Sequence, residues 1–292
     1  MHPPMLEFGL LFALACAFTT NVALLCKHRG ALAAPAVEMA HPLRSAAALF
    51  RSRWWTIGFG IALGAWALHV AALALAPLSL VETTISGGLV LLAWLAERWF
   101  GVRVGAREWL GLGLCALGLG LIAATSAGGG DGSSSKYSIE AMIPFETGAV
   151  GTGALLLLSG SSGSVRRADG PFLGCAAGLL LGVANVSIKA LTGSVPGDPW
   201  SLVGPWTLIA LLAGVGAFFA LARGLQIGAA IPVITLSSVA ANLVSISGGI
   251  FVFGDSVGHD ALAITARCVA FAAVIAAVAM MPTARRPAPA AA

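Results

Sequence analysis

Long apolar runs alternate with short polar links along almost the whole chain. We place the runs at about residues 5–25, 54–76, 78–96, 109–125, 141–159, 171–191, 202–222, 228–253 and 260–281. Their lengths are close to the ~20 apolar residues that an α-helix needs to cross a bilayer. Backbone groups in lipid must find partners within their own segment, which favours helices. The pattern therefore predicts an all-α polytopic membrane protein with about nine transmembrane helices.

The composition changes this picture only by excluding other classes. Of 292 residues, 58% are hydrophobic and 10% are charged, whereas soluble domains carry about 25% charged residues. The net charge of +4 is spread over short links without a basic face, so we expect no nucleic-acid partner. The five cysteines form no C-x-x-C pair, and we expect neither a disulfide framework nor a metal site.

Lysine and arginine are concentrated in alternate links, which predicts the orientation of the chain. The opposite links hold only Lys136, so the positive-inside rule places the N-terminus outside and the C-terminus in the cytoplasm. The first run then stays in the protein as a span, and we expect a multi-pass protein of the cell (inner) membrane. The basic set comprises Lys27, Arg29, Arg44, Arg51, Arg53, Arg98, Arg103, Arg107, Arg166, Arg167 and Arg223, with Arg285 and Arg286 in the tail.

Two links stand out by their composition. Residues 128–135 are glycines and serines around one aspartate, and we interpret them as an outer linker. The basic segment from Cys26 to Arg53 is rich in alanine but is interrupted by Pro35, Glu38 and Pro42. It is too polar to span, and we expect an amphipathic piece along the inner surface.

The chain also repeats itself weakly. The stretch Leu75-Ala-Pro-Leu-Ser-Leu-Val-Glu-Thr-Thr-Ile85 resembles Gln226-Ile-Gly-Ala-Ala-Ile-Pro-Val-Ile-Thr-Leu236, and both lead into a Gly-Gly pair within the next span. Spans one to four then correspond to spans six to nine. The odd fifth span reverses the direction of entry, as in the inverted repeats of secondary transporters.

This repeat divides the chain into four parts in a 4+1+4 arrangement. We assign residues 1–125 to a first repeat, 126–170 to the linker and a connector helix, 171–281 to a second repeat, and 282–292 to a cytoplasmic Pro/Ala tail.

Ionisable residues inside the runs are candidates for function, because an isolated charge at mid-membrane costs roughly 2.5–3.5 kcal/mol. They are His69, Glu82, Lys189 and Arg267, all in the outer half, while Glu146 interrupts the fifth run. We hypothesise that they meet at a hydrated cavity where Glu82 binds a proton or a cation and Lys189 tunes it.

Each of these residues also has an alternative explanation. Lys189 and Arg267 can extend to the outer headgroups. Glu82 can sit at the interface, favoured by a helix N-terminus, and His69 can be a hydrogen-bonded packing residue.

Uncharged polar residues at helical spacing extend the candidate cavity. Ser238, Asn242 and Ser245 share a face of span eight, Asn185 shares one with Lys189, and Asn21 interrupts span one. Such residues line solute paths, or form interhelical hydrogen bonds worth about 0.6 kcal/mol each. The cavity candidates are Asn21, His69, Glu82, Asn185, Lys189, Ser238, Asn242 and Arg267; we expect no catalytic residue and no cofactor.

Small residues predict where helices approach closely. Gly174, Gly178 and Gly182 form a double G-x-x-x-G on span six, and Gly60 with Gly64 forms another on span two. Both are typical of tight helix packing in membranes.

Several of these segments resemble the drug/metabolite transporter superfamily. They are Leu73-Ala-Leu-Ala-Pro-Leu-Ser-Leu-Val-Glu82, the basic link ending in Arg107-Glu-Trp-Leu-Gly111, and Gly248-Gly-Ile-Phe-Val-Phe-Gly-Asp255. The nine-span layout and a late lysine in span six are most similar to its EamA-like and magnesium-transporter-like (NIPA-like) branches. The resemblance implies two inverted halves around a central cavity and names no substrate. Glu82 replaces the neutral amide that this superfamily leads us to expect.

We therefore expect a secondary transporter that moves a small solute or metabolite by alternating access, with proton coupling as one form. A divalent-cation (magnesium) transporter is the alternative, and a non-transporting membrane scaffold or sensor is the alternative of another class. Paired membrane aspartates and H-E-x-x-H are missing from the sequence, so we do not expect an enzyme. The expected partners are the substrate, the lipid bilayer and, for a homodimer, a second copy.

Overall fold

A computed structural model describes residues 3–38, 41–75, 78–102, 104–126, 137–161, 169–194 and 203–254, with 265–266, 269–270, 272–274 and 277. The helices are α1 (Pro3–Leu32), α2 (Pro42–Arg51), α3 (Arg53–Leu75), α4 (Leu78–Phe100), α5 (Ala106–Ser126), α6 (Ile139–Ser161), α7 (Asp169–Ser194), α8 (Pro205–Ile227) and α9 (Ala230–Phe251). These residues contain no strand, so the prediction of an all-α protein is confirmed.

Five helices in the described part of the chain are long and apolar enough to cross a membrane. They are Glu7–Leu32 in α1, Ile139–Leu158 in α6, Gly170–Leu191 in α7, Pro205–Ile227 in α8 and Ala230–Phe251 in α9. Apolar helices of 20 to 26 residues match the thickness of a bilayer, so the chain is a membrane protein. Helices α3, α4 and α5, of 23, 23 and 21 residues, also coincide with predicted runs, and most of the ninth run lies outside the described residues.

The first helix is longer than its apolar run. Helix α1 continues to Leu32, because no proline stops it before Pro35, and so it includes the basic residues Lys27 and Arg29. The segment beyond it forms α2, which begins with Pro42, a residue suited to the first helical turn. Leu49 of α2 is fully buried while Leu43 is exposed, as expected of the predicted amphipathic piece.

In each half, the first helix packs against the next two long helices. Helix α1 packs against α3 and α4, and α7 packs against α8 and α9, while α6 lies against α7. The inverted repeat itself stays a prediction. We call residues 1–125 the first half and residues 171–281 the second half.

The glycines of α7 pack tightly, as predicted. A Cβ added at Gly174 would lie 2.6 Å from the carbonyl oxygen of Val233, and one at Gly178 would overlap the carbonyl oxygen of Ser237. Side chains larger than hydrogen would therefore separate α7 from α9. The double G-x-x-x-G is confirmed as a packing surface.

The prediction for Gly60 and Gly64 is wrong. Both are exposed, and a Cβ at either would meet none of the described residues within 4 Å. The close approach to α1 occurs instead at Gly58, where a Cβ would lie 2.7 Å from the carbonyl oxygen of Ala23. Helix α3 turns the face with Gly58, Ala65 and Ala72 toward α1, because these small residues allow closer contact than its other faces.

The halves share a hydrophobic cluster that begins at one end of the bundle and extends along α5 as far as Leu119. We call that end the basic end: there α1 ends, α3 begins and α8 ends, beside Arg29, Arg53 and Arg223. Among clusters formed by described residues, only this one contains residues of both halves, including Leu25, Trp55, Leu92, Leu225 and Ile231. The others belong to one half, or to the second half with α6.

Alanine at Gly178 should lower the free energy of unfolding by about 1–3 kcal/mol, the usual cost of overpacking. The same change at Gly60 should be neutral or stabilising by up to about 1 kcal/mol, because alanine favours a helix and space is available. Thermal unfolding of both purified variants in detergent measures the difference. Equal effects would contradict the assigned α7–α9 contact.

Candidate functional site

The amide of Gln226 joins the two halves at the basic end. Its Nε2 donates to the carbonyl oxygens of Ala31 at 3.1 Å and Pro35 at 2.9 Å. Its Oε1 accepts from the backbone N–H of Val37 at 2.9 Å and from Arg223 at 3.4 Å. One side chain at the end of α8 therefore holds the segment that follows α1.

Two further contacts surround this amide. Nδ1 of His28 lies 3.1 Å from the carbonyl oxygen of Leu225. The ring of Phe218 stacks on Phe50 with centroids 6.2 Å apart and meets Trp55 edge-on at 5.5 Å. The basic end is thus closed by packed rings and hydrogen bonds between the halves.

Near the opposite end, the second half brings several of the predicted polar residues together. Nδ2 of Asn185 donates to Oγ of Ser245 at 3.2 Å, which links α7 to α9, and Asn185 remains exposed. Nζ of Lys189 lies 4.3 Å from the ring centroid of Phe253. Ser238 and Asn242 are half-buried on the same helix as Ser245. The predicted face of α7 therefore meets the predicted stripe of α9.

A buried carboxyl group lies next to this face, and the sequence analysis noted it in the fifth run but left it out of the eight cavity candidates. Glu146 of α6 is only 4% exposed, and Oγ of Ser187 donates to its Oε1 at 2.7 Å. Its Oε2 is buried and accepts no hydrogen bond from the described residues. The sequence feature that could have pointed to this contact is Ser187, a polar residue on span six two positions before Lys189.

In the first half, Asn21 joins two helices. Its Nδ2 donates to the carbonyl oxygens of Gly88 at 2.6 Å and Ala17 at 2.9 Å, and the residue is buried. Gly88 allows this approach, because a Cβ there would lie 2.9 Å from Cβ of Ala17. This geometry matches the interhelical hydrogen bond that we considered beside a cavity role.

His69 lies apart from the polar face of the second half. It lines a groove of about 260 Å³ between α1 and α3, together with Thr20, Lys27 and Trp66. Nζ of Lys27 lies 5.6 Å from the ring centroid of Phe59. The side chain of Glu82 and all of Arg267 lie outside the described residues, so a meeting of the four ionisable residues stays a prediction.

We compared the chain with protein-family models, with curated proteins and with solved structures, and none of them matches. The resemblance to the drug/metabolite transporter superfamily therefore stays a prediction from the sequence.

Alanine at Ser187 should lower the free energy of unfolding by about 1–3 kcal/mol, because it leaves a buried acceptor without its donor. Alanine at Thr147 is the matched control. That exposed hydroxyl donates to the Ile143 carbonyl oxygen of its own helix. Removing it should therefore change the free energy of unfolding by no more than about 0.5 kcal/mol. Denaturant titration in detergent measures both values, and equal losses would show that the Glu146–Ser187 contact contributes nothing.

Proposed function

We propose that the chain is a secondary transporter of the drug/metabolite transporter type, which moves a small solute by alternating access between two inverted halves. The basic end is the cytoplasmic end, in accordance with the positive-inside rule. In this proposal, the contacts at the basic end close the cytoplasmic side. The cavity opens toward the outside, between α1 and α4 of the first half and α7 and α9 of the second.

The distribution of contacts between the halves is the observation that carries this proposal. At the basic end, Gln226 and Phe218 bind the first half directly. Toward the opposite end, Asn185 is exposed although it lies in an apolar helix, about 14 Å from the helix end at 1.5 Å per residue. Polar groups at such depth normally face water or another polar group, which supports a hydrated outer vestibule.

The similar packing of helices within each half supports the inverted repeat. Helix α1 runs toward the basic end and α7 runs away from it, yet each packs against the next two long helices of its half. Two units related in this way can exchange roles as the protein rocks around a central site.

Two carboxyl groups are the proposed coupling sites. Glu82 lies in the first turns of α4, and Glu146 occupies an early position in α6. Because Oε2 of Glu146 is buried without a hydrogen-bond donor among the described residues, it offers a place for a proton. Ser187 would orient the group in either protonation state, since a hydroxyl both donates and accepts.

Replacing Gln226 with leucine should open the basic end, because four contacts of its amide are lost. The readout is a single cysteine at Ser245 in a chain whose five native cysteines are replaced. An impermeant maleimide should label this thiol only from outside when Gln226 is present. In the leucine variant, labelling from the cytoplasmic side should also appear.

Leu211→Cys is the control for this labelling experiment. Leu211 is 62% exposed on an apolar helix and should face lipid, where a thiol is not ionised and does not react. Labelling of Ser245→Cys only from the cytoplasmic side, or from neither side, would refute the proposed conformation.

Glu82→Gln should lower solute flux at least about tenfold while leaving folding unchanged, because the amide cannot exchange a proton or hold a cation. Ligands are first found by thermal stabilisation with metal ions and small metabolites, and flux is then measured in proteoliposomes at several pH values. Glu146→Gln tests the second carboxyl in the same assay. A scaffold would bind no solute and would be indifferent to both changes.

A further inference from the structure

A second cavity lies at the basic end, outside the proposed transport path. It has a volume of about 340 Å³ and lies between the segment after α1 and the corner that joins α2 to α3. Ala33, Ala34 and Pro35 form one wall, and the other is formed by Ala48, Arg51, Ser52, Arg53 and Trp54. Two arginines therefore border a space that an anion of moderate size would fill.

Hydrogen bonds hold both walls in place. The N–H of Ser52 donates to the carbonyl oxygen of Leu49 at 3.0 Å. The hydroxyl of Thr56 donates to the carbonyl oxygens of Phe50 at 2.8 Å and Ser52 at 3.2 Å. On the other side, Gln226 holds the carbonyl group of Pro35. The arginines thus extend from a corner of fixed shape.

The charge around the cavity is strongly positive. A third guanidinium group, that of Arg29, lies 4.3 Å from the ring centroid of Trp54. The acidic residue of this segment, Glu38, is exposed, and its backbone is hydrogen-bonded to Ser45. Like charges repel each other, and an anion among these arginines would relieve the repulsion.

The surface around the arginines is apolar. Leu43 is 86% exposed and Leu32 is 58% exposed, while Trp54 is 39% exposed and Ile57 lies three residues further along α3, on the same side. Basic residues beside exposed leucines and a tryptophan are typical of helices in the headgroup region. The ligand should therefore carry both an anionic head and an apolar tail.

We propose that this cavity binds the headgroup of an anionic phospholipid from the cytoplasmic leaflet. Arg51 and Arg53 bind the phosphate, each with planar N–H donors that match its oxygens. The acyl chains lie along the exposed face of α3 beside Trp54 and Ile57. This inference rests on the membrane location of the chain and not on its transport activity.

The test is a titration of the purified protein in detergent with phosphatidylglycerol or phosphatidylcholine, followed by native mass spectrometry. The wild-type protein should retain phosphatidylglycerol and bind phosphatidylcholine far less. Arg51→Gln with Arg53→Gln should weaken phosphatidylglycerol binding about 25-fold, at roughly fivefold for each basic residue near an anionic lipid. Arg51→Lys with Arg53→Lys should weaken phosphatidylglycerol binding less than the double glutamine variant does, because the positive charges remain.

Arg98→Gln is the control, since it removes one exposed positive charge from the last turn of α4, and Arg98 is not among the residues that line the cavity. It should change phosphatidylglycerol binding less than twofold. The proposal is overturned if Arg98→Gln weakens binding as much as the double glutamine variant does. It is also overturned if inorganic phosphate displaces the lipid, or if the wild-type protein does not distinguish the two lipids, a result that needs no folded variant.

Discussion

The two halves of this membrane protein are connected through the end of α8. Gln226 uses both ends of its amide there, and it satisfies backbone groups of residues 31–37 that no helix continues to bond. Buried backbone groups without partners are costly, so this one side chain decides where the segment after α1 lies. The position of that segment sets the wall of the arginine-lined cavity and also closes the basic end. The proposed conformation and the proposed lipid site therefore depend on the same contact.

The helices could be predicted from the sequence because their cause is local. Eight of the nine apolar runs coincide with α1 and α3–α9, since a run of apolar residues long enough to cross lipid must bond its backbone internally. The amphipathic piece after α1 was also predictable, because Pro42 and the mixture of arginines with leucine and phenylalanine lie within one segment of ten residues. The continuation of α1 to Leu32 was not, because hydropathy registers charge and not helix propensity.

Contacts between helices were less predictable than the helices. Gly178 and Gly60 lie in two copies of the same G-x-x-x-G motif. Gly178 lies against the backbone of α9, whereas no described residue lies close to Gly60. Which face of α3 meets α1 depends on all the residues of both helices, so a local motif cannot decide it. Glu146 illustrates the same limit: the sequence shows a charge that interrupts an apolar run, and only the fold shows that Ser187 is its partner. The geometry around Glu82 lies outside the described residues and stays a prediction.

The length of α1 has a mechanical consequence. Thirty residues at 1.5 Å per residue make a rod of about 45 Å, whereas the hydrocarbon layer is about 30 Å thick. The surplus must project from the bilayer or tilt within it. A rotation of about 10° around the middle of such a rod displaces each tip by about 4 Å. Helix α1 can therefore act as a lever, in which a slight reorientation at one face of the membrane becomes a displacement the size of a side chain at the other.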